Sequence, residues 1–152
     1  MSEQVSVFDV AQYILGRLGR LTTWKLQKLC YYSQAWSVVW DEEPLFKESI
    51  EAWANGPVIP ALYERHRGQF YVSSVKGHPE KLTESQRETI DAVISTYGDK
   101  TSHWLSELTH CEDPWRKARR RAGLSLGERG NSKIRLDGMA EYYGGLCAKE
   151  PT

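Results

Sequence analysis

One segment constrains the fold more than any other. From Thr23 to about Trp40 the chain reads as a helix whose apolar face carries Leu26, Leu29, Trp36 and Val39–Trp40, with Ser33 among them. Tyr31, Tyr32 and Ala35 widen that face almost to a full circle. A helix that is apolar nearly all round belongs at the centre of a protein, with other elements packed about it. Lys25 and Lys28 are expected at its wet edge, and Trp36 in the core. The chain is therefore predicted to be mainly α, a compact multi-helix single domain over residues 1–152 with at most a small β-hairpin or short sheet.

The elements around this helix follow from periodicity and end signals. Val7, Val10, Ala11, Ile14, Leu15 and Leu18 recur at helical spacing, with Ser6 as N-cap and Gly19 just past the end. Asp41–Pro44 is a turn. Alternation over Ile50–Trp53 predicts a short strand, which Asn55-Gly56-Pro57 should break. Pro60 suits the first turn of a helix over Ala61–Arg67. A strand is weakly indicated at Phe70–Val75. Thr83 and Gln86 form a capping box for a helix ending at Gly98. Short helices are expected from Thr101 or Ser102 to Leu108, and from Asp113-Pro114, as N-cap and N1, to about Ala122. Leu124–Ser132 reads as loop. A last helix over Leu136–Tyr143 should close at Gly144-Gly145. The total is six or seven helices.

A chain of 152 residues is long enough for one core without metal or disulfide staples. Twenty basic and twenty acidic residues cancel, so global charge gives no reason to expect nucleic acid or a membrane as the main partner. Cys30, Cys111 and Cys147 are odd in number and form no CxxC pair; this fits a reducing compartment better than a disulfide framework. The first residues lack the pattern of a signal peptide, and no apolar run approaches a membrane span. The expected location is the cytoplasm.

Signals for chemistry are sparse. The four histidines and three cysteines never fall at metal-site spacing, and no nucleotide-binding or nucleophile motif occurs. No cofactor, no metal and no catalytic residue is expected. Arg116-Lys117-Ala118-Arg119-Arg120-Arg121 is a dense basic run. It can bind phosphates or an acidic protein surface, and a solvated helix face is the plainer reading. Trp24, Trp36, Trp40 and Trp53 crowd into the first third. Buried core explains tryptophans in general, but Trp24 and Trp53 are left open as interface anchors.

Lys25-Leu26-Gln27-Lys28-Leu29-Cys30-Tyr31-Tyr32-Ser33-Gln34-Ala35-Trp36 resembles the central helix motif of the Panacea, or SocA-like, antitoxin domain. Pro44-Leu45-Phe46 and Ile50-Glu51-Ala52-Trp53-Ala54-Asn55-Gly56-Pro57-Val58-Ile59-Pro60, with Leu62-Tyr63, resemble the block that follows in that family. Leu105–His110 with Pro114-Trp115 resembles a third. The resemblance implies a prokaryotic or phage-associated antitoxin that neutralises a cognate protein toxin by direct binding. One branch of the family instead delivers the toxin to an ATP-dependent protease, and nucleic acid binding through the basic run is a further alternative. Leu29, Trp36, Gly56, Pro57, Pro114 and Trp115 are read as structural motif positions. Trp24, Lys25, Lys28, Trp53 and Tyr63, with Arg116, Arg119 and Arg120, are the candidate toxin-binding residues.

Overall fold

A computed structural model describes residues 4–149, with side chains as far as Leu146. Its organising element is α2, Thr23–Trp40, opened by Thr22, whose hydroxyl accepts from the Lys25 amide. Leu26, Leu29, Cys30, Tyr31, Tyr32 and Ala35 have no exposed surface. Each of the two leucines contributes roughly 1.5–3 kcal/mol by leaving water. Around α2 lie α1 (Val7–Leu18), α3 (Pro60–His66), α4 (Glu84–Tyr97), α5 (Ser102–His110), α6 (Asp113–Arg121) and α7 (Leu136–Lys149). Of these, α1, α3, α4, α5 and α7 pack directly on it. Among the described residues this makes seven α-helices and two small sheets, a mainly α fold.

Both sheets are antiparallel pairs. β1 (Leu21–Thr22) pairs with β4 (Tyr71–Val72), and β2 (Glu51–Trp53) pairs with β3 (Gly56–Val58). The second hairpin gains a third edge from the chain near Lys133: Ala52 donates to the Ser132 carbonyl (2.7 Å) and Ile134 donates to that of Ile50 (2.8 Å).

Two glutamines on α2 fasten the segments that follow it. The Gln34 Oε1 accepts from the Leu45 and Phe46 amides (2.7 and 3.2 Å), while its Nε2 donates to the Phe46 carbonyl (2.8 Å). Gln27 repeats the device one heptad earlier. Its Oε1 accepts from the Ile59 amide (2.8 Å), and its Nε2 lies 2.9 Å from His66 Nε2. Both side chains are buried, and both satisfy backbone groups of extended chain that have no strand partner there.

A second buried polar cluster locks α7 onto α2. Tyr32 and Tyr143 both donate to the Glu112 carboxylate (2.7 and 2.8 Å), and the Tyr31 and Tyr143 hydroxyls lie 3.0 Å apart. Burial pushes the Glu112 carboxyl above its ordinary range, and the two hydroxyls partly oppose that.

Several expectations need correction. Lys28 is not at a wet edge; it has no exposed surface. Trp36 is half-buried rather than core: it stacks on Trp40 at 4.8 Å, and its Nε1 donates to the Tyr97 hydroxyl (3.1 Å). Its indole N–H needs a partner, and the margin of the core supplies one. Gly56 and Pro57 do not break the strand but form its return, the turn being Ala54-Asn55. The α6 N-cap is Glu112, one residue before the expected Asp113. Gly144-Gly145 does not end α7, which runs to Lys149. Two helical glycines cost about 1 kcal/mol each against alanine, and packing of the buried Met139 and Tyr143 offsets this. The strand at Phe70–Val75 shrinks to Tyr71–Val72.

Candidate functional site

Three aromatic side chains from three elements meet at one edge of the fold. Trp24 stands on the first turn of α2, Trp53 ends β2, and Tyr63 lies on α3. The Tyr63 ring sits edge-on to Trp53 at 5.1 Å and tilted to Trp24 at 6.4 Å. All three are half-buried. Each rests on fixed backbone. The amide of Thr23, beside Trp24, donates to the Phe70 carbonyl (2.9 Å), and the Thr22 hydroxyl bonds that of Ser102 on α5.

The β2 backbone under Trp53 is held by α6. Trp115 Nε1 donates to the Trp53 carbonyl (2.8 Å), and Arg119 donates to that of Ala52 (2.9 Å). Trp115 thus ties the start of α6 to the end of β2. Arg119 also donates to the carbonyls of Ser125 (3.0 Å) and Glu128 and is only 3% exposed. It is therefore a buried tie between β2 and the loop after α6, not the surface contact expected from the basic run. Arg116 and Arg120 do face solvent, beside Leu124 and Leu126.

Beneath the aromatic trio lies Lys28. It is one helical turn past Trp24, and its Nζ is 5.3 Å from the centre of that indole. No hydrogen-bond partner reaches the Nζ among the described residues, and the same holds for His110 Nε2. Burial pulls the Lys28 ammonium down to about 8. Burial also lowers the basicity of His110, as do the charges of Lys28 and Arg119; Glu107 and the Asn55 backbone act the other way. The His110 ring stacks on Trp115 at 4.1 Å. Gly56, at φ +130°, passes over the lysine so closely that a Cβ would stand 2.7 Å from Lys28 Cε and 3.2 Å from its Nζ.

Two clefts flank the trio, and Trp24 and Asn55 line both. One, about 530 Å³, is also lined by Glu51, Trp53, Arg129 and Asn131. The other, about 320 Å³, is lined by Ser102, His103, Ser106, Glu107 and His110 of α5. The arrangement offers broad apolar faces with polar margins, which suits capture of a protein side chain.

Of the expected contact residues, then, Trp24, Lys28, Trp53 and Tyr63 come together. Lys25 is half-buried, its charge disfavoured by burial and favoured by Asp99 in the turn before α5. His110 was missed in sequence as a site residue, and the only signal was its place in a block shared with Pro114-Trp115. Cys30 is buried and Cys111 exposed, while the Cys147 side chain lies outside the described residues. Among the described residues no three His, Cys, Asp or Glu side chains are placed to hold a metal ion, and no helix is long and apolar enough to cross a membrane.

A family model described as "Antitoxin SocA-like, Panacea domain" matches residues 26–116, more than half of the chain. Lys28, Trp53, Tyr63, Gly56 and His110 fall inside that span; Trp24 and Arg119 fall outside it. No curated protein and no solved structure matches the chain.

Proposed function

The chain belongs to the SocA-like, Panacea-domain antitoxin family, and from that premise we propose that it holds a cognate protein toxin inactive by direct contact. The partner is a toxin of the same prokaryote or phage, the encounter takes place in the cytoplasm, and no catalytic step is involved. The observation that carries this reading is the trio of Trp24, Trp53 and Tyr63. Half-buried aromatics on rigid backbone lose little entropy on binding and leave large apolar area to be covered. Trp24 lines both clefts and Trp53 the larger one, an exposure that packing alone does not require.

The test is co-expression with the product of each adjacent reading frame. One of these should arrest growth when expressed alone, and this chain should relieve the arrest and co-purify with it. Trp24→Ala, Trp53→Ala or Tyr63→Ala should each weaken the complex by about 2 kcal/mol or more, with native circular dichroism retained. Relief accompanied by disappearance of the toxin, restored to full toxin level in a protease-deficient host, points instead to delivery to an ATP-dependent protease. Absence of any toxic neighbour counts against the antitoxin role.

A further inference from the structure

The cation under the aromatic trio has no counter-charge. Lys28 is fully buried and its Nζ lacks any partner among the described residues. Burial alone accounts for the fall in its basicity, with no carboxylate acting on it. A buried, unpaired ammonium is strongly unfavourable, and a methionine would fill the same space without that penalty. The Trp24 face, 5.3 Å from the Nζ, offers a cation–π contact, but it supplies no counter-charge and accepts no hydrogen bond from the ammonium. The backbone nonetheless accommodates it: Gly56 leaves out the one atom that would collide with Lys28 Cε.

We propose that Lys28 is one half of an ion pair whose other half arrives with the partner: a carboxylate on the bound protein reaches the Lys28 ammonium past the edge of Trp24. The inference rests on the binding role proposed above and specifies the chemistry that the partner brings. Charge complementarity selects an acidic group. Neither carboxylate that lines the two clefts pairs with Lys28. Glu51 accepts from Trp53 Nε1 (2.8 Å), and Glu107 lies 3.6 Å from His103 Nε2. Arg129, in the larger cleft, adds positive charge at the entrance. His110 lines the smaller cleft with a buried, unpartnered Nε2, which takes up a proton to become a second donor when a carboxylate comes close. Because Lys28 has no exposed surface, the carboxylate enters only as the Trp24 indole or the Ala54-Asn55 turn moves aside.

The experiment uses the full chain and the toxin identified by co-expression. Lys28→Met should weaken binding about 30-fold or more, as expected when one member of a buried charge pair is removed. Asp→Asn and Glu→Gln substitutions across the toxin should reveal one position whose loss is large against the unaltered chain and absent against Lys28→Met. Wild-type affinity in a folded Lys28→Met, or no toxin carboxylate that couples to it, overturns the proposal while leaving the aromatic contact standing. Failure of the unaltered chain to bind any toxin overturns the binding role, and this inference with it. Should Lys28→Met not fold, ε-ammonium NMR of the unaltered chain decides. The Lys28 pKa, lowered by burial to about 8 when free, should rise in the complex; a value that stays or falls refutes the ion pair. Acetate and inorganic phosphate serve as control ions, and the same rise with either alone marks a small-anion site and refutes a partner-borne carboxylate.

Discussion

Replacing Gly56 with alanine tests whether the contact between the β2–β3 hairpin and Lys28 is as tight as it looks. Two separate effects oppose the substitution. At φ +130° an L-residue is strained by roughly 1–3 kcal/mol. The new Cβ would also lie 2.7 Å from Lys28 Cε and 3.2 Å from Thr109 Oγ1. The lysine cannot swing into solvent, because it is buried on every side, so overpacking adds about 1–3 kcal/mol. Together they remove about 2–6 kcal/mol from a domain whose whole stability is of order 5–15 kcal/mol. The assay is urea denaturation of four proteins: unaltered, Gly56→Ala, Lys28→Ala and the double variant. Shortening the lysine removes the collision but not the backbone strain. The double variant should therefore recover about 1–3 kcal/mol of the Gly56→Ala loss and no more. A Gly56→Ala protein within about 0.5 kcal/mol of the original would refute both terms. A full loss that Lys28→Ala leaves untouched would place the effect in backbone strain alone.

Two further perturbations separate structural polar groups from surface ones. Arg119→Met leaves the buried Ala52 carbonyl and the part-buried Ser125 and Glu128 carbonyls without their donor and should destabilise by about 3 kcal/mol or more, since bonds to charged groups are worth roughly 1.5–3 kcal/mol each; Arg116→Ala and Arg120→Ala should each stay within about 0.5 kcal/mol, and thermal melts giving equal losses for all three would reject the distinction. Glu112 has its folded pKa raised by burial, so between the unfolded and folded values the native state binds more protons and stability falls as pH rises through that window. Glu112→Gln keeps an acceptor for Tyr32 and Tyr143 and should abolish this part of the pH dependence, making the variant relatively more stable at pH 8 than at pH 4; urea midpoints that move the other way would contradict the raised value.

The helical frame was legible because its signals are local. The period of α1, the capping box at Thr83 and the near-circular apolarity of α2 each depend on neighbours within a turn or two. The site was legible only in part. Trp24, Trp53 and Tyr63 stood out as aromatics beside rigid elements, but nothing in the sequence places α2, β2 and α3 side by side. Lys28 was misread because hydropathy assigns any lysine to the surface, whereas Gly56 and Trp24, distant and near in sequence, together enclose it. Arg119 was misread for the related reason that a run of like charges looks uniform, although helical geometry turns one residue in four inward. Gly144-Gly145 looked like a stop because tertiary packing, which overrides propensity, is invisible in the local sequence.

Gln27 and Gln34 also bear on how the chain reaches this state. Their amides act as templates that exist only once α2 has wound and its interior has been assigned. The extended segments at Leu45–Phe46 and Ile59 have no strand partners there, so these two side chains take the place of a ladder. Two side chains of one helix thereby hold both the Leu45–Phe46 crossing and the Ile59 entry to α3, the helix that carries Tyr63. Loss of either glutamine amide would leave backbone groups unpaired without touching the Glu112 cluster that joins α7 to α2, so the two sides of the central helix are secured by separate polar devices.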